Sequence, residues 1–410
     1  RYTPMHPSAL NNLGTILRQF GRTEEALVRF RQASVADPGK PWIWSNYASA
    51  LEDLGHTKEA LESLRRAAAL APEETVLQDR LIALANGPET AEDHIDRAAA
   101  TEAMWRLNPA IADFERMGIA LRPYVERICE PNYTSQTLTT DRHGFRHLWK
   151  EGRAIGYDEF VGTPGPKGII CGASQALGYG LANAHTLQAN LTFLETGGAE
   201  WFSLAAPISN ILQQRLLFEL FAPPETKYCI VVSGTVNVLL SLLATHDRAP
   251  YPPLHNVSYE WQKDDVALQG GQDIDKAFAE TLVWMEHNIA MFAAKCRMLG
   301  DCRLLFCQPP VLPWSGKKVT KEEADNRRLF RIRHPEYAAL IEAPENVPRW
   351  IGYLDGIAEA VEKEGGTYLE MSEEIDPDSD DTLFCDLLHP NETGAKLMAT
   401  CISDWAGGIR

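Results

Sequence analysis

Apolar residues recur at helical spacing through residues 7–72, and the whole pattern repeats after 34 residues. The small residues Ala26 and Ala60 occupy the same place in the two copies, where they would let paired helices approach closely. Glycine is placed to end the first helix of each copy and proline to end the second. The pattern therefore predicts two helix pairs. Eight positions agree at this one offset: Pro7 with Pro41, Leu17 with Leu51, Gly21 with Gly55, Glu25 with Glu59, Ala26 with Ala60, Leu27 with Leu61, Ala33 with Ala67 and Pro38 with Pro72.

The repeat pattern is lost over residues 75–108, although the apolar positions remain helical. A terminal unit of a repeat stack usually loses the consensus in this way, because one of its faces meets solvent. We therefore predict a helical repeat region with capping helices over residues 1–110.

Beyond residue 110, short apolar runs alternate with longer helical patterns, which predicts a mostly parallel five-stranded sheet covered by helices on both faces. Residues 111–164 are predicted to lead into this α/β domain, which spans residues 165–410 and carries a helical insertion at about 312–350. The predicted strands are 168–171, 191–196, 228–233, 302–308 and 367–371. The predicted helices lie near 175–188, 207–221, 273–299, 347–364 and 391–405.

Composition narrows the class of protein. The chain is 45% hydrophobic and 23% charged, and it has no apolar run near the ~18 residues of a membrane span. A net charge of −17 argues against nucleic acid as the main partner. The eight cysteines form no Cys-x-x-Cys pair, so we interpret them as reduced thiols in a cytoplasmic protein. No cofactor or metal site is predicted, and the acidic stretch 376–381 is interpreted as a solvated loop.

Polar residues follow the predicted strands, at the sheet edge where parallel α/β folds bind ligands. Ser174 follows the first strand on a tight turn that would expose its hydroxyl, and Gly198 follows the second, where backbone amides could approach a ligand. Asn237 follows the third and can donate to an oxyanion. Asp386 and His389 precede the final helix at a spacing that lets one turn present both side chains.

The N-terminal period and its landmarks resemble the tetratricopeptide repeat. This resemblance implies a surface on which a protein partner docks. A purely structural extension, or a surface for self-association, is the alternative interpretation.

The order of serine, glycine, asparagine and Asp-x-x-His resembles the SGNH (GDSL-like) hydrolase superfamily over roughly residues 139–408. The resemblance implies a flavodoxin-like, three-layer α/β/α fold. It also implies Ser174 as nucleophile, His389 as base and Asp386 as the acid that orients it. The amide of Ser174, an amide near Gly198 and the side chain of Asn237 would form the oxyanion hole.

Residues 141–146 resemble the Gly-Phe-Arg segment of a bacterial subset of that superfamily that modifies glycans. Arg146 is then a candidate for binding an anionic sugar, with an internal salt bridge as the other interpretation. The resemblance implies a serine-dependent carbohydrate esterase, an O-deacetylase acting on a glycan or glycoprotein. The alternatives are a sugar O-acyltransferase in surface or flagellar glycan modification, and a catalytically degenerate fold used as a binding module.

Overall fold

The computed structural model describes residues 6–19, 22–54, 56–71, 77, 80, 96–122, 125–242 and 273–408. Contacts divide the chain into two compact units, residues 1–94 and 95–410. The predicted boundary at residue 110 therefore differs from the observed division, because the helices over residues 97–116 group with the second unit. No helix in the described ranges is long and apolar enough to cross a membrane.

The first unit contains the predicted helix pairs, α1 (Pro7–Gln19) with α2 (Thr23–Ala36), and α3 (Pro41–Asp53) with α4 (Thr57–Leu70). Ala26 and Ala60 are fully buried, as the close packing of paired helices requires. A Cβ atom on Gly14 would lie 2.8 Å from the ring of Phe30, which shows how closely α1 and α2 approach. The predicted landmarks Gly21, Gly55 and Pro72, and most of the predicted cap up to residue 95, lie outside the described residues.

The second unit contains the α/β domain and the elements that lead into it. Its strands are β1 (Ile119–Arg122), β2 (Glu126–Cys129), β3 (Leu148–Lys150), β4 (Arg153–Ile155), β5 (Lys167–Gly172), β6 (Glu200–Ser203), β7 (Thr226–Val232), β8 (Arg303–Gln308) and β9 (Thr367–Glu370). Its helices are α5 (Arg97–Leu107), α6 (Pro109–Arg116), α7 (Tyr157–Gly162), α8 (Ser174–Leu177), α9 (Leu187–Phe193), α10 (Ile211–Phe221), α11 (Thr235–Leu242), α12 (Ile274–Met298), α13 (Lys321–Arg333), α14 (Pro335–Glu342), α15 (Val347–Lys363) and α16 (Glu392–Ala406).

The main sheet has the order β6-β5-β7-β8-β9, and every neighbouring pair is parallel. Its central strands are buried on both faces, which explains why they appear in the sequence as continuous apolar runs. Alternate side chains face opposite layers: Ile169 packs in one core with α10, α12 and α15, and Ile170 in another with α9 and α16. The three-layer α/β/α prediction is confirmed.

The second predicted strand, 191–196, is wrong. Residues 191–193 end helix α9, and residues 194–196 form the turn after it. Helix α9 begins where the Thr186 side chain accepts a hydrogen bond from the Ala189 amide. Leu187 and Leu191 are four residues apart and bury the same helical face. The strand itself is β6, so the Gly197–Gly198 pair precedes the strand instead of following it.

The predicted insertion after β8 is helical, with α13 and α14 as its main elements. Thr320 caps the start of helix α13, where its side chain accepts a hydrogen bond from the Glu323 amide in a capping box. Glu323 is fully buried with Lys317 at 2.6 Å, and its other oxygen accepts from the Leu383 amide at 2.8 Å. The insertion is thereby tied to the loop that carries Asp386 and His389.

Candidate active site

Ser174 lies on a sharp turn at the carboxyl end of β5, where it begins the short helix α8. The turn depends on Gly172. A Cβ atom there would lie 2.4 Å from the Ala176 Cβ and 2.5 Å from the Val232 carbonyl oxygen. Glycine has no Cβ atom, so the backbone can turn tightly here and present the serine hydroxyl above the sheet edge. A larger residue would not fit.

Ser174, His389 and Asp386 form a continuous chain of hydrogen bonds. The Ser174 Oγ lies 2.7 Å from His389 Nε2, and His389 Nδ1 lies 2.7 Å from Asp386 Oδ2. An ionised carboxylate can only accept a hydrogen bond, so it fixes the tautomer in which Nδ1 carries the proton. Nε2 is then free to accept the proton of the serine hydroxyl.

Asp386 is held in place as an ion. Its second oxygen, Oδ1, accepts from the backbone amides of Leu388 at 2.7 Å and His389 at 2.8 Å. Burial alone would raise the pKa of Asp386, but the electrostatic attraction of the His389 ring and the hydrogen bonds from that ring and from the two amides outweigh it and hold the pKa below its ordinary value. Asp386 therefore remains charged at neutral pH although it is only 1% exposed.

A second set of side chains supports the imidazole from the side. The Tyr179 ring lies 4.3 Å from the His389 ring, centroid to centroid, and its hydroxyl donates to Glu115. Glu115 also accepts from Trp105 Nε1 at 2.8 Å and from Arg333 at 2.7 Å. Burial and the neighbouring Glu115 carboxylate hold the pKa of the Tyr179 hydroxyl well above its ordinary value, so that the hydroxyl remains a donor.

The sequence did not point to this support. Tyr179 lies in the segment after the first strand, but Glu115 and Arg333 are far from it in the chain and belong to no recognisable motif. In the sequence, Glu115 and Arg333 are each a charged residue in an amphipathic helix. Such residues most often face solvent, so neither one indicated a buried contact at the site.

Arg146 holds the loop after Ser174 in place and does not face a substrate. The side chain is 1% exposed, and all five of its N–H groups donate to neutral oxygens. These acceptors are the side chain of Asn183 and the backbone carbonyls of Thr137, Leu177, Gly178 and Leu181. Both interpretations of Arg146, a sugar ligand and a salt-bridge partner, are therefore corrected.

Gly198 lies at the other edge of the sheet from Ser174, and the Asn237 side chain is engaged elsewhere, so neither fits the predicted role of oxyanion donor. Gly198 precedes β6 at the amino edge of the parallel sheet, whereas Ser174 follows β5 at the carboxyl edge. The Asn237 amide is fully buried and donates within its own turn, to Ser233 Oγ at 3.0 Å and the Gly234 carbonyl at 3.2 Å. Its carbonyl accepts from the Ile211 amide at 2.9 Å, so Asn237 joins α11 to α10.

The segment that does follow β6 is 204–210, and sequence reasoning missed it because the strand was placed too early. Pro207 and Ile208 face the same cavity as Ser174. Ile208 has a φ of 50°, a strained conformation for a β-branched residue. Strain of this kind concentrates at functional sites, where the surrounding structure enforces it.

A cavity of about 400 Å³ lies over the triad. Helices α5, α6 and α13 line one side of it, and the turns after β5 and β6 line the other. The predicted insertion therefore contributes directly to the site, and so does α5, which we had expected to belong with the repeats. Across the described ranges, no cluster of three or more His, Cys, Asp or Glu side chains is placed to hold a metal ion.

The tetratricopeptide repeat family matches residues 17–84, which confirms the prediction made from the 34-residue period. No curated protein sequence matches the chain. Among solved structures, a Bacteroides fragilis protein named as an acylhydrolase has 9% identity and a TM-score of 0.36, covering 62% of this chain and 94% of its own.

Two further structures are similar to parts of the chain. A GDSL-like lipase from Bacteroides thetaiotaomicron has 11% identity and a TM-score of 0.35, and the match covers 62% of this chain and 96% of the lipase. Yeast Tom70 has 12% identity and a TM-score of 0.19, with 90% of this chain and 79% of Tom70 covered. At these low scores the chemistry must be inferred from the arrangement of Ser174, His389 and Asp386.

Proposed function

We propose that the second unit is a serine-dependent ester hydrolase that removes an acyl group from a glycan or glycoprotein. The observation that carries the proposal is the pair of 2.7 Å contacts joining Ser174 to His389 and His389 to Asp386. A serine, a base in hydrogen-bond reach of it and a third group that orients the base are together the requirement for nucleophilic catalysis.

The proposed reaction proceeds in two acyl-transfer steps. As Ser174 Oγ attacks the ester carbonyl carbon, His389 Nε2 takes the hydroxyl proton, and it returns this proton to the leaving alcohol oxygen when the carbon–oxygen bond breaks. Water, deprotonated by the same imidazole, then attacks the acyl-serine, releasing the acid and restoring the hydroxyl. If a sugar hydroxyl replaces that water, the same residues perform acyl transfer.

We assign stabilisation of the oxyanion to backbone amides. The Ser174 amide has no acceptor within its helix, because the first amides of a helix precede all of its acceptors. The amides of Ile208 and Ser209 are the second assigned source, since Ile208 lines the same cavity as Ser174. Pro207, which also lines it, has no N–H to donate. Gly198 and the Asn237 side chain are not assigned as oxyanion donors.

A fluorophosphonate probe tests the proposal, because such probes label a serine only when a neighbouring base activates it. We expect the intact protein to be labelled and the Ser174→Ala variant not to be. Ser403→Ala, in helix α16, is the matched control and should be labelled like the intact protein. Absence of labelling in the intact protein would refute both enzymatic functions and leave the binding-module alternative.

We further propose that residues 1–94 bind a protein partner, either the carrier of the acylated glycan or another enzyme of its pathway. This proposal rests on the tetratricopeptide match, since such repeats stack into extended binding surfaces. The cytoplasmic location stays a prediction, supported by eight cysteines that are all free thiols.

Deleting residues 1–94 should spare hydrolysis of p-nitrophenyl butanoate and weaken action on an acylated glycoprotein. A longer deletion, of residues 1–110, is the control: it also removes Thr101 and Trp105 from the cavity wall and should abolish both activities. Equal loss of both activities in the shorter deletion, measured as kcat/KM, would mean that the repeats serve only as structural support.

A further inference from the structure

The cavity over the triad is lined mainly by apolar side chains. Trp105 and Phe114 come from α5 and α6, Phe330 from α13, Ile208 from the turn after β6, and Val236 from the start of α11. Phe330 belongs to the main core, and the other four side chains pack against that core while partly exposed. All five line the cavity. A group bound there would exchange water for hydrocarbon.

The polar side chains of the wall are already engaged with one another. The Arg333 guanidinium donates to the Thr101 hydroxyl at 3.1 Å and to Glu115 at 2.7 Å, and Thr101 in turn donates to the Arg97 carbonyl at 2.9 Å. Arg333 and Glu115 neutralise each other, with only 8% and 22% of their side chains exposed.

The remaining polar groups are also committed. The Gln175 amide donates to the Leu388 carbonyl, and the Tyr337 hydroxyl to Thr235. Burial, with the charges of Arg333 and Arg97, lowers the pKa of His334 to about 3, which keeps that ring neutral. A sugar ring would bring several hydroxyl groups into this cavity, where Arg333, Thr101, Gln175 and Tyr337 are already hydrogen-bonded to protein groups, so its loss of hydrogen bonds with water would be poorly compensated.

We propose that this cavity binds the acyl part of the ester, and that the acyl group is a chain of about four to eight carbons. The cavity volume of about 400 Å³ lies near the lower end of the usual range for ligand sites, and it would hold a chain of this length. The proposal rests on the ester chemistry assigned to Ser174. The carbonyl carbon lies at Ser174, while the hydrocarbon chain extends between α5, α13 and the start of α11, which carries Val236. The alcohol, sugar or other, then leaves on the side away from the cavity. This acyl group is longer than the acetyl group expected from the sequence.

The test is the dependence of kcat/KM on chain length, measured with p-nitrophenyl acetate, butanoate, octanoate, dodecanoate and hexadecanoate. Each methylene that becomes buried is expected to raise kcat/KM about fourfold until the cavity is filled. The full-length protein should therefore prefer butanoate or octanoate over acetate, and its activity should fall again by hexadecanoate.

Two variants should move the profile in opposite directions. Val236→Trp fills the cavity and should lower the ratio of octanoate to acetate activity, whereas Phe330→Ala enlarges it and should shift the optimum towards dodecanoate. Val283→Trp is the matched control. It makes the same change at a side chain that is 65% exposed on α12, and it should keep the profile of the intact protein.

The outcomes separate this inference from the ester chemistry beneath it. Acetate as the best substrate of the intact protein, with an unchanged ratio in Val236→Trp, overturns the acyl cavity and leaves the esterase standing. No hydrolysis at any chain length, together with no fluorophosphonate labelling, overturns both. If Val236→Trp does not fold, the inference is tested by the other two results. The intact protein must prefer butanoate or octanoate over acetate, and Phe330→Ala must shift the optimum towards longer chains; a shift towards shorter chains overturns the acyl cavity.

Discussion

Replacing His389 with alanine is expected to lower kcat for ester hydrolysis by roughly 10⁶-fold, the size of loss seen when one member of a serine triad is removed. Among the described contacts of the Ser174 hydroxyl, His389 Nε2, at 2.7 Å, is the only group that can accept its proton. Without it the nucleophile is an ordinary alcohol, which is almost entirely protonated at neutral pH.

The measurement is single-turnover and steady-state kinetics on p-nitrophenyl butanoate, with folding checked by thermal unfolding. His287→Ala is the matched control, because His287 is an exposed histidine on α12. That variant should keep full activity. A loss in His389→Ala smaller than tenfold would show that the hydrogen-bonded arrangement does not perform the reaction.

Replacing Asp386 with asparagine is expected to lower kcat by about 10⁴-fold while the fold is kept. The two backbone amides that donate to Oδ1 would hold the asparagine oxygen in the same place. Its NH₂ group would then face His389 Nδ1 and donate to it, which forces the ring proton onto Nε2. In that tautomer the imidazole can no longer take the proton of Ser174.

Asp381→Asn, an exposed change in the same loop, is the control and should leave kcat unchanged.

The Asp386→Asn substitution is also expected to change how the stability of the protein depends on pH. Because the folded pKa of Asp386 lies below its ordinary value, its ionised form contributes stability above that ordinary value, near 3.9, and the contribution is lost as pH falls through the folded pKa. The difference in unfolding free energy between the intact protein and Asp386→Asn should therefore shrink on acidification. A difference that grows at low pH would contradict the pKa assigned to this carboxylate.

Local patterns were sufficient for part of the site. Ser174 follows a strand that is continuous and apolar, and Asp386 and His389 are three residues apart on one turn. Their placement at the sheet edge follows from the general rule that parallel sheets bind ligands at the carboxyl ends of their strands. The helix pairs were likewise predictable, since a period of 34 residues is visible in the sequence itself.

The rest depended on contacts that no local pattern encodes. The run around Leu191 is short and apolar, and such runs fit a buried helix as well as a strand. Placing it as a strand moved the second strand end by several residues and selected Gly198 in place of Ile208. The contacts of Arg333 with Thr101 and Glu115 join residues separated by 232 and 218 positions, which only the tertiary fold brings together.

The long sequence separations across the site have a consequence for folding kinetics. Ser174 and His389 are 215 positions apart, and the loop holding His389 is fixed by Glu323, 60 positions before Leu383. Closing such long loops costs entropy that is recovered only after the intervening elements have docked. Under the proposed chemistry, Ser174 would therefore be activated only once the sheet, the insertion and the final helix have all assembled. A partly folded chain emerging from the ribosome would carry an inert serine, and the proposed hydrolytic activity is expected only from the assembled unit.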